Sequence, residues 1–113
     1  MKVIKRDGSK EEFNLVKIEN AMLKAFNACQ YHLTKQDKLA VSDFLRKLEE
    51  VQEGDTTVES IQDQVEKFLT KRWFRVGKAY MLYREQHKKV RMISEKLKYI
   101  HNYAGSSESA TNL

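Results

Sequence analysis

Proline is absent from the 113 residues, and glycine occurs four times. Proline stops helices, and the two residues together supply most tight turns. A chain with so few breakers is expected to form long uninterrupted helices, and not a β-sandwich, which needs many turn residues. Hydrophobic residues make up 41% and aromatics 10%, a composition that packs a globular core. The length suits one domain. The single cysteine, Cys29, excludes an internal disulfide and any zinc ribbon built on several cysteines. A reducing compartment fits that usage. No apolar run approaches the ~18 residues of a membrane helix, and the stretch Met1 to Phe13 is charged where a signal peptide turns apolar. The expectation is a soluble, cytoplasmic chain with no membrane partner. A formal net charge of +5 favours anionic partners. Nucleotide phosphates, nucleic acid and acidic protein surfaces all satisfy it.

Period and punctuation place the elements. Lys2 to Arg6 is short, β-branched in the middle and alternating, which predicts a strand. Asp7-Gly8 is the preferred dipeptide of a type I′ turn, whose central residues both need φ > 0. Lys10 to Phe13 returns, and Asn14 is a helix N-cap. Leu15, Ile18, Met22, Ala25, Phe26 and Cys29 mark one stripe of a first helix, Leu15 to about Cys29. Thr34 with Asp37 reads as a capping box for a second helix carrying Val41, Phe44, Leu45, Leu48 and Val51. Gln52-Glu53-Gly54-Asp55 ends it, with Gly54 suited to a left-handed cap. Thr56 with Glu59 signals a third helix bearing Val58, Ile61, Val65, Phe68 and Leu69, broken at Lys71 to Arg75. A fourth starts near Val76 and reaches Tyr103, its inner face marked by Val76, Tyr80, Leu82 or Tyr83, Val90, Ile93, Leu97 and Ile100. Ala104 to Leu113 lacks periodicity and reads as a linker. The expected fold is α+β but mostly α: a four-helix cluster capped by an N-terminal β-hairpin or small sheet.

Chemistry concentrates at the N-terminus. Lys5 and Arg6 adjoin a tight turn, and Asn14 and Lys17 lie on the cap and first turn of the first helix. A helix N-terminus offers free N–H groups and a partial positive charge. A phosphate chain could meet Lys5, Arg6, Lys17 and that dipole together. The same residues also suit a solvated basic hairpin with an ordinary cap.

Three motifs choose between these readings. Val3-x-Lys5-Arg6-Asp7-Gly8, followed by Phe13 and Lys17-Ile18, resembles the opening signature of the ATP-cone domain. Val58-Glu59-Ser60-Ile61-Gln62-Asp63-Gln64-Val65-Glu66 is similar to its third-helix motif, and Val76-x-Lys78-Ala79-Tyr80-Met81-Leu82-Tyr83-Arg84-Glu85 to its last-helix motif. They stand in family order and span about residues 2 to 92. The resemblance implies a nucleotide-binding domain over 1–92, with 93–113 as helix end and linker towards a catalytic domain. It implies ATP or dATP as allosteric effector, with Mg2+ and no metal held by the protein itself. By position, Lys5 and Arg6 would hold phosphates and Val3 would flank the nucleotide. Glu11 and Asn14 fall where the family contacts base or ribose, and Lys17 at a nucleotide-contacting lysine. Gln62 stands where some relatives have a pocket-lining histidine. Lys78, Arg84 and His87 are further pocket or interface candidates. The family implies control of a ribonucleotide reductase, and so of deoxynucleotide supply, with ATP activating and dATP inhibiting through quaternary structure. Its partners would be the catalytic domain and other reductase subunits.

Two alternatives belong to other classes. A repressor of reductase genes uses the same domain behind a four-cysteine zinc ribbon, which one cysteine cannot build. A stand-alone sensing module would act on a partner in trans. No G-x-x-x-x-G-K-[ST] loop occurs, since Arg72 stands where the first glycine of a loop ending at Gly77-Lys78 would be, so binding without hydrolysis is expected. His32, His87 and His101 have no metal-ligand spacing. The basic stretch Arg84 to Arg91 suits a solvated face better than nucleic acid. Cys29 reads as core, and Trp73-Phe74 either plugs the core or anchors an interface.

Overall fold

The computed structural model describes residues 2–51 and 54–105, with side chains to 102. The elements are β1 (Lys2–Ile4), β2 (Lys10–Glu12), α1 (Leu15–Ala28), α2 (Lys35–Val51), β3 (Thr56–Thr57), α3 (Val58–Arg72) and α4 (Phe74–Gly105). Contacts divide the chain into two units, residues 1–81 and 82–113. The result is the α+β, mostly α architecture read from the sequence, with a small N-terminal sheet.

In the first unit each helix contributes its apolar stripe. Met22, Ala25 and Phe26 of α1 meet Val41, Leu45 and Leu48 of α2, Ile61, Val65 and Leu69 of α3, and Val76 and Tyr80 of α4 in one buried cluster. Ring contacts knit it together: Phe26 meets Trp73 edge-on at 4.9 Å between centroids, and Phe44 stacks on Phe68 at 4.2 Å. Trp73 therefore packs against the core, whereas its neighbour Phe74 is exposed. Cys29 packs against the core too, its thiol donating to the Arg75 carbonyl at 3.4 Å.

The helix ends follow their side chains. Asn14 Oδ1 accepts from the N–H groups of Val16 and Lys17 and starts α1. Thr34 and Asp37 bond reciprocally, as a capping box requires: the Thr34 N–H donates to the Asp37 carboxylate at 3.0 Å, and the Asp37 N–H to the Thr34 hydroxyl at 3.1 Å. Gly54 has φ +79, within the left-handed region expected of it. Gln52 and Glu53, the rest of that stop signal, lie outside the described residues, as does the tail from 106 onward.

The sheet departs from the expectation in two ways. Its order is β2-β1-β3, with β1 antiparallel to β2 and parallel to β3. The third strand, in which Thr56 and Thr57 pair with Val3 and Ile4, was read as the start of a helix. Strand pairing shifts the α3 cap by one residue, so Thr57, not Thr56, accepts from the Ser60 N–H at 3.1 Å. The hairpin turn is not type I′. Among the described residues, positive φ belongs to Gly8, Gly54 and Gln30, and not to Asp7. The Lys5 carbonyl accepts from the Gly8 N–H, and the Lys5 N–H donates to the Ser9 carbonyl. This is a three-residue loop, Arg6-Asp7-Gly8, with Gly8 in the left-handed position that such loops require. The Asp7 carboxylate accepts from the Ser9 N–H at 2.9 Å and so prefers its own backbone to the αL conformation.

Two apolar stripes were overextended. Val51 ends α2 and is exposed, because it lies beyond the last turn that packs. On α4 the buried face stops at Tyr80, and Leu82, Val90, Ile93, Leu97 and Ile100 are all exposed. A 3–4 period reports an apolar face and says nothing of what covers it.

Candidate functional site

A cleft of about 200 Å³ opens where the sheet meets the helices. Val3 of β1, Glu11 of β2, Asn14, Lys17 and Ile18 around the start of α1, and Gln62 of α3 line it. Phe13, Ala21, Val58, Ile61 and Tyr80 make its walls largely apolar, and Glu12 adds a second carboxylate. Strand alternation explains the first pair: Val3 and Glu11 are register partners, so both project to the same side of the hairpin.

Charge collects at the rim. The Glu11 carboxylate bridges two ammonium groups, Lys5 at 2.9 Å and Lys17 at 2.5 Å. Donation from Lys17, then from Lys5, lowers the Glu11 carboxyl to about 2. The Lys5 ammonium is correspondingly raised, chiefly by its hydrogen bond to Glu11. Arg6 Nε donates to Glu59 in the first turn of α3 at 2.7 Å. Asp55 accepts from the Lys2 N–H at 3.2 Å and from the Lys10 ammonium at 2.9 Å, joining β1 and β2 to the entrance of β3. Inside the cleft, Gln62 Oε1 is a buried acceptor with no hydrogen-bond partner among the described residues.

The structure thus brings Val3, Glu11, Asn14, Lys17 and Gln62 to one cleft, with Lys5 one ion pair away from its lining. Arg6 reaches α3 through Glu59. Lys78 does not line the cleft; its ammonium lies 5.5 Å from the centre of the Phe74 ring. Arg84 and His87 lie in the second unit, where the His87 ring is 4.1 Å from the Tyr83 ring. Tyr80, marked by the apolar stripe of α4 as core, also faces the cleft, and Glu59, a capping residue by spacing, also pairs with Arg6. No local signal marks the Glu59 pairing, whose partner Arg6 lies 53 residues away in sequence.

A largely apolar cleft beneath a small sheet, edged by Glu11, Glu12 and Lys17, has the chemistry to hold a ligand with a flat apolar part and polar or charged groups at its mouth. The family model described as ATP cone domain matches residues 1–89, and the chain belongs to the ATP-cone family. Its general role is nucleotide binding in allosteric regulation. No individual curated protein matches the chain.

Proposed function

We propose that the cleft binds an adenine nucleotide, ATP or dATP, and that the chain uses it to set the overall activity of a ribonucleotide reductase. The observation that carries this reading is the meeting of Val3, Glu11, Asn14, Lys17 and Gln62 around one cleft in an ATP-cone chain. The apolar walls suit a flat base, and Asn14 and Gln62 offer polar groups to read its edge. Lys5, Arg6 and Lys17 supply the positive charge a triphosphate needs. Each of these cations is held by a carboxylate here, so a phosphate must exchange with Glu11 and Glu59. Among the described residues no three His, Cys, Asp or Glu side chains group as a metal site. Mg2+ would be carried on the phosphates, its usual mode with nucleotides.

The cleft takes its walls from the hairpin, α1, α3 and Tyr80 of α4. A ligand touching separate elements shifts their packing when it binds two arrangements with different affinity. ATP would favour the active assembly and dATP the inhibited one, through contacts with the catalytic domain and other subunits. None of the described helices is long and apolar enough to cross a membrane, and the cytoplasm is the proposed location.

Calorimetric titration with ATP, dATP, GTP and dGTP tests the binding. A lost charged hydrogen bond to phosphate costs about 1.5–3 kcal/mol, or roughly 10- to 150-fold in affinity. Lys5→Ala and Lys17→Ala should each weaken ATP binding in that range. If both bind ATP as tightly as the parent, the nucleotide site is elsewhere. Light scattering of the assembled reductase in ATP and then dATP tests the regulation; identical mass distributions alongside dATP inhibition would refute control by assembly.

A further inference from the structure

The second unit carries a feature that nucleotide binding does not use. Along α4, Val90, Ile93, Leu97 and Ile100 recur at spacings of three, four and three, and they are 63%, 58%, 60% and 56% exposed. That spacing is the a/d seam of a two-helix pair, and the exposed Met92 and Tyr99 stand at c, outside it. With Val90 and Leu97 at a and Ile93 and Ile100 at d, the flanking g positions are Lys89 and Lys96. The flanking e positions are His87, Ser94 and His101. No carboxylate borders the seam from 87 to 101; Glu95, the acidic residue in that stretch, stands at f, on the far side of the helix.

We propose that this seam docks an amphipathic helix of a partner, apolar at its own a and d positions and acidic at e and g. Charge selects this occupant. Two copies of α4 paired antiparallel would set Lys89 and Lys96 against the same lysines. Paired parallel, they would set Lys96 against His101 and leave Lys89 facing Ser94. Neither arrangement gives the lysines an anion. A partner with Glu or Asp beside its seam pairs with both lysines in either orientation and covers the four apolar side chains.

The test uses a synthetic helix of about four heptads, Ile at a, Leu at d and Glu at e and g, labelled for fluorescence anisotropy and titrated with the 113-residue protein. Saturable binding is expected, weakened by roughly tenfold or more in Leu97→Ser. The variant Lys89→Glu/Lys96→Glu should lose the Glu-flanked peptide and gain a Lys-flanked one. These side chains are exposed, and circular dichroism verifies that the variants keep the parent fold. Equal binding of Glu- and Lys-flanked peptides, or unchanged binding by Leu97→Ser, would overturn the proposal. So would a dimer of the protein alone by light scattering, or binding to phosphatidylcholine/phosphatidylglycerol vesicles without binding to the peptide. The readout requires no nucleotide, so it stands or falls separately from the cleft.

Discussion

Replacing glycine by alanine inside a helix ordinarily stabilises it by about 1 kcal/mol. Gly77, in the first turn of α4, should do the reverse. A Cβ built there would lie 2.3 Å from Thr70 Cγ2, 2.6 Å from Thr70 Cα and 2.7 Å from Thr70 N. Side-chain rotation could relieve the first contact, although the Thr70 hydroxyl donates to the Glu66 carbonyl at 2.6 Å and holds its rotamer. The other two contacts are with backbone, and they yield only if α3 and α4 separate. Overpacking costs about 1–3 kcal/mol, and a backbone clash belongs at the upper end, ~3 kcal/mol. Subtracting ~1 kcal/mol of propensity leaves Gly77→Ala less stable by ~2 kcal/mol. For a domain of this size that lowers Tm by roughly 8–16 °C. Thermal melts followed by helical circular dichroism measure it. Thr70→Ala/Gly77→Ala should recover only part of the loss, since the backbone contacts survive. A Gly77→Ala protein that melts at or above the parent temperature would refute the close approach.

Phe26→Ala should cost about 3–5 kcal/mol in chemical denaturation, because a side chain 1% exposed and ringed by Tyr31 and Trp73 leaves a cavity that helices cannot easily close. Glu11 is held at about 2 by its two lysines, below its ordinary value of 4.5. Its depressed pKa favours the fold above the ordinary value, and that contribution fades as pH falls from about 4.5 towards 2. A carboxyl carbon titration by NMR should find its midpoint near the lower figure, and a midpoint above 4 would contradict the bridge. Phosphate release from ATP by the pure protein should stay at background, since no phosphate-loop sequence is present. Release that vanishes in Lys5→Ala would contradict this.

What the sequence made legible was whatever short-range chemistry decides. Asn14 and the Thr34–Asp37 box set helix starts through bonds spanning two or three residues, and both stand as read. The end of α1 was harder. Gln30, at φ +54, fills the left-handed position usually taken by glycine, and its N–H donates to the Asn27 carbonyl while that of Tyr31 donates to the Phe26 carbonyl. The ring contact of Tyr31 with Phe26 holds a turn that Gln would not choose alone. β3 was invisible for a related reason. Two threonines have no alternation to read, and they are a strand only because Val3 and Ile4 lie beside them. At the site, the hairpin and cap residues could be placed by spacing. The ion partners Asp55 and Glu59 could not, since their pairing depends on a strand contact more than fifty residues distant in sequence.

That parallel pairing also makes the cleft depend on contacts far apart in sequence. A two-stranded hairpin is marginal in water by itself, and the strand that supports this one belongs to residues 56 and 57. Contacts between such distant residues form only after the intervening loop is closed, and closure costs entropy before it returns any stabilisation. α1 and α2 lie within that loop, and their hydrogen bonds join near neighbours in sequence, unlike the β1–β3 pairing. A nascent chain that has emerged only as far as α2 carries every hairpin residue yet has no third strand to brace β1 and no α3 to wall the cleft. The cleft is complete only when α3 and the first turns of α4 are in place, since Val58, Ile61, Gln62 and Tyr80 line it.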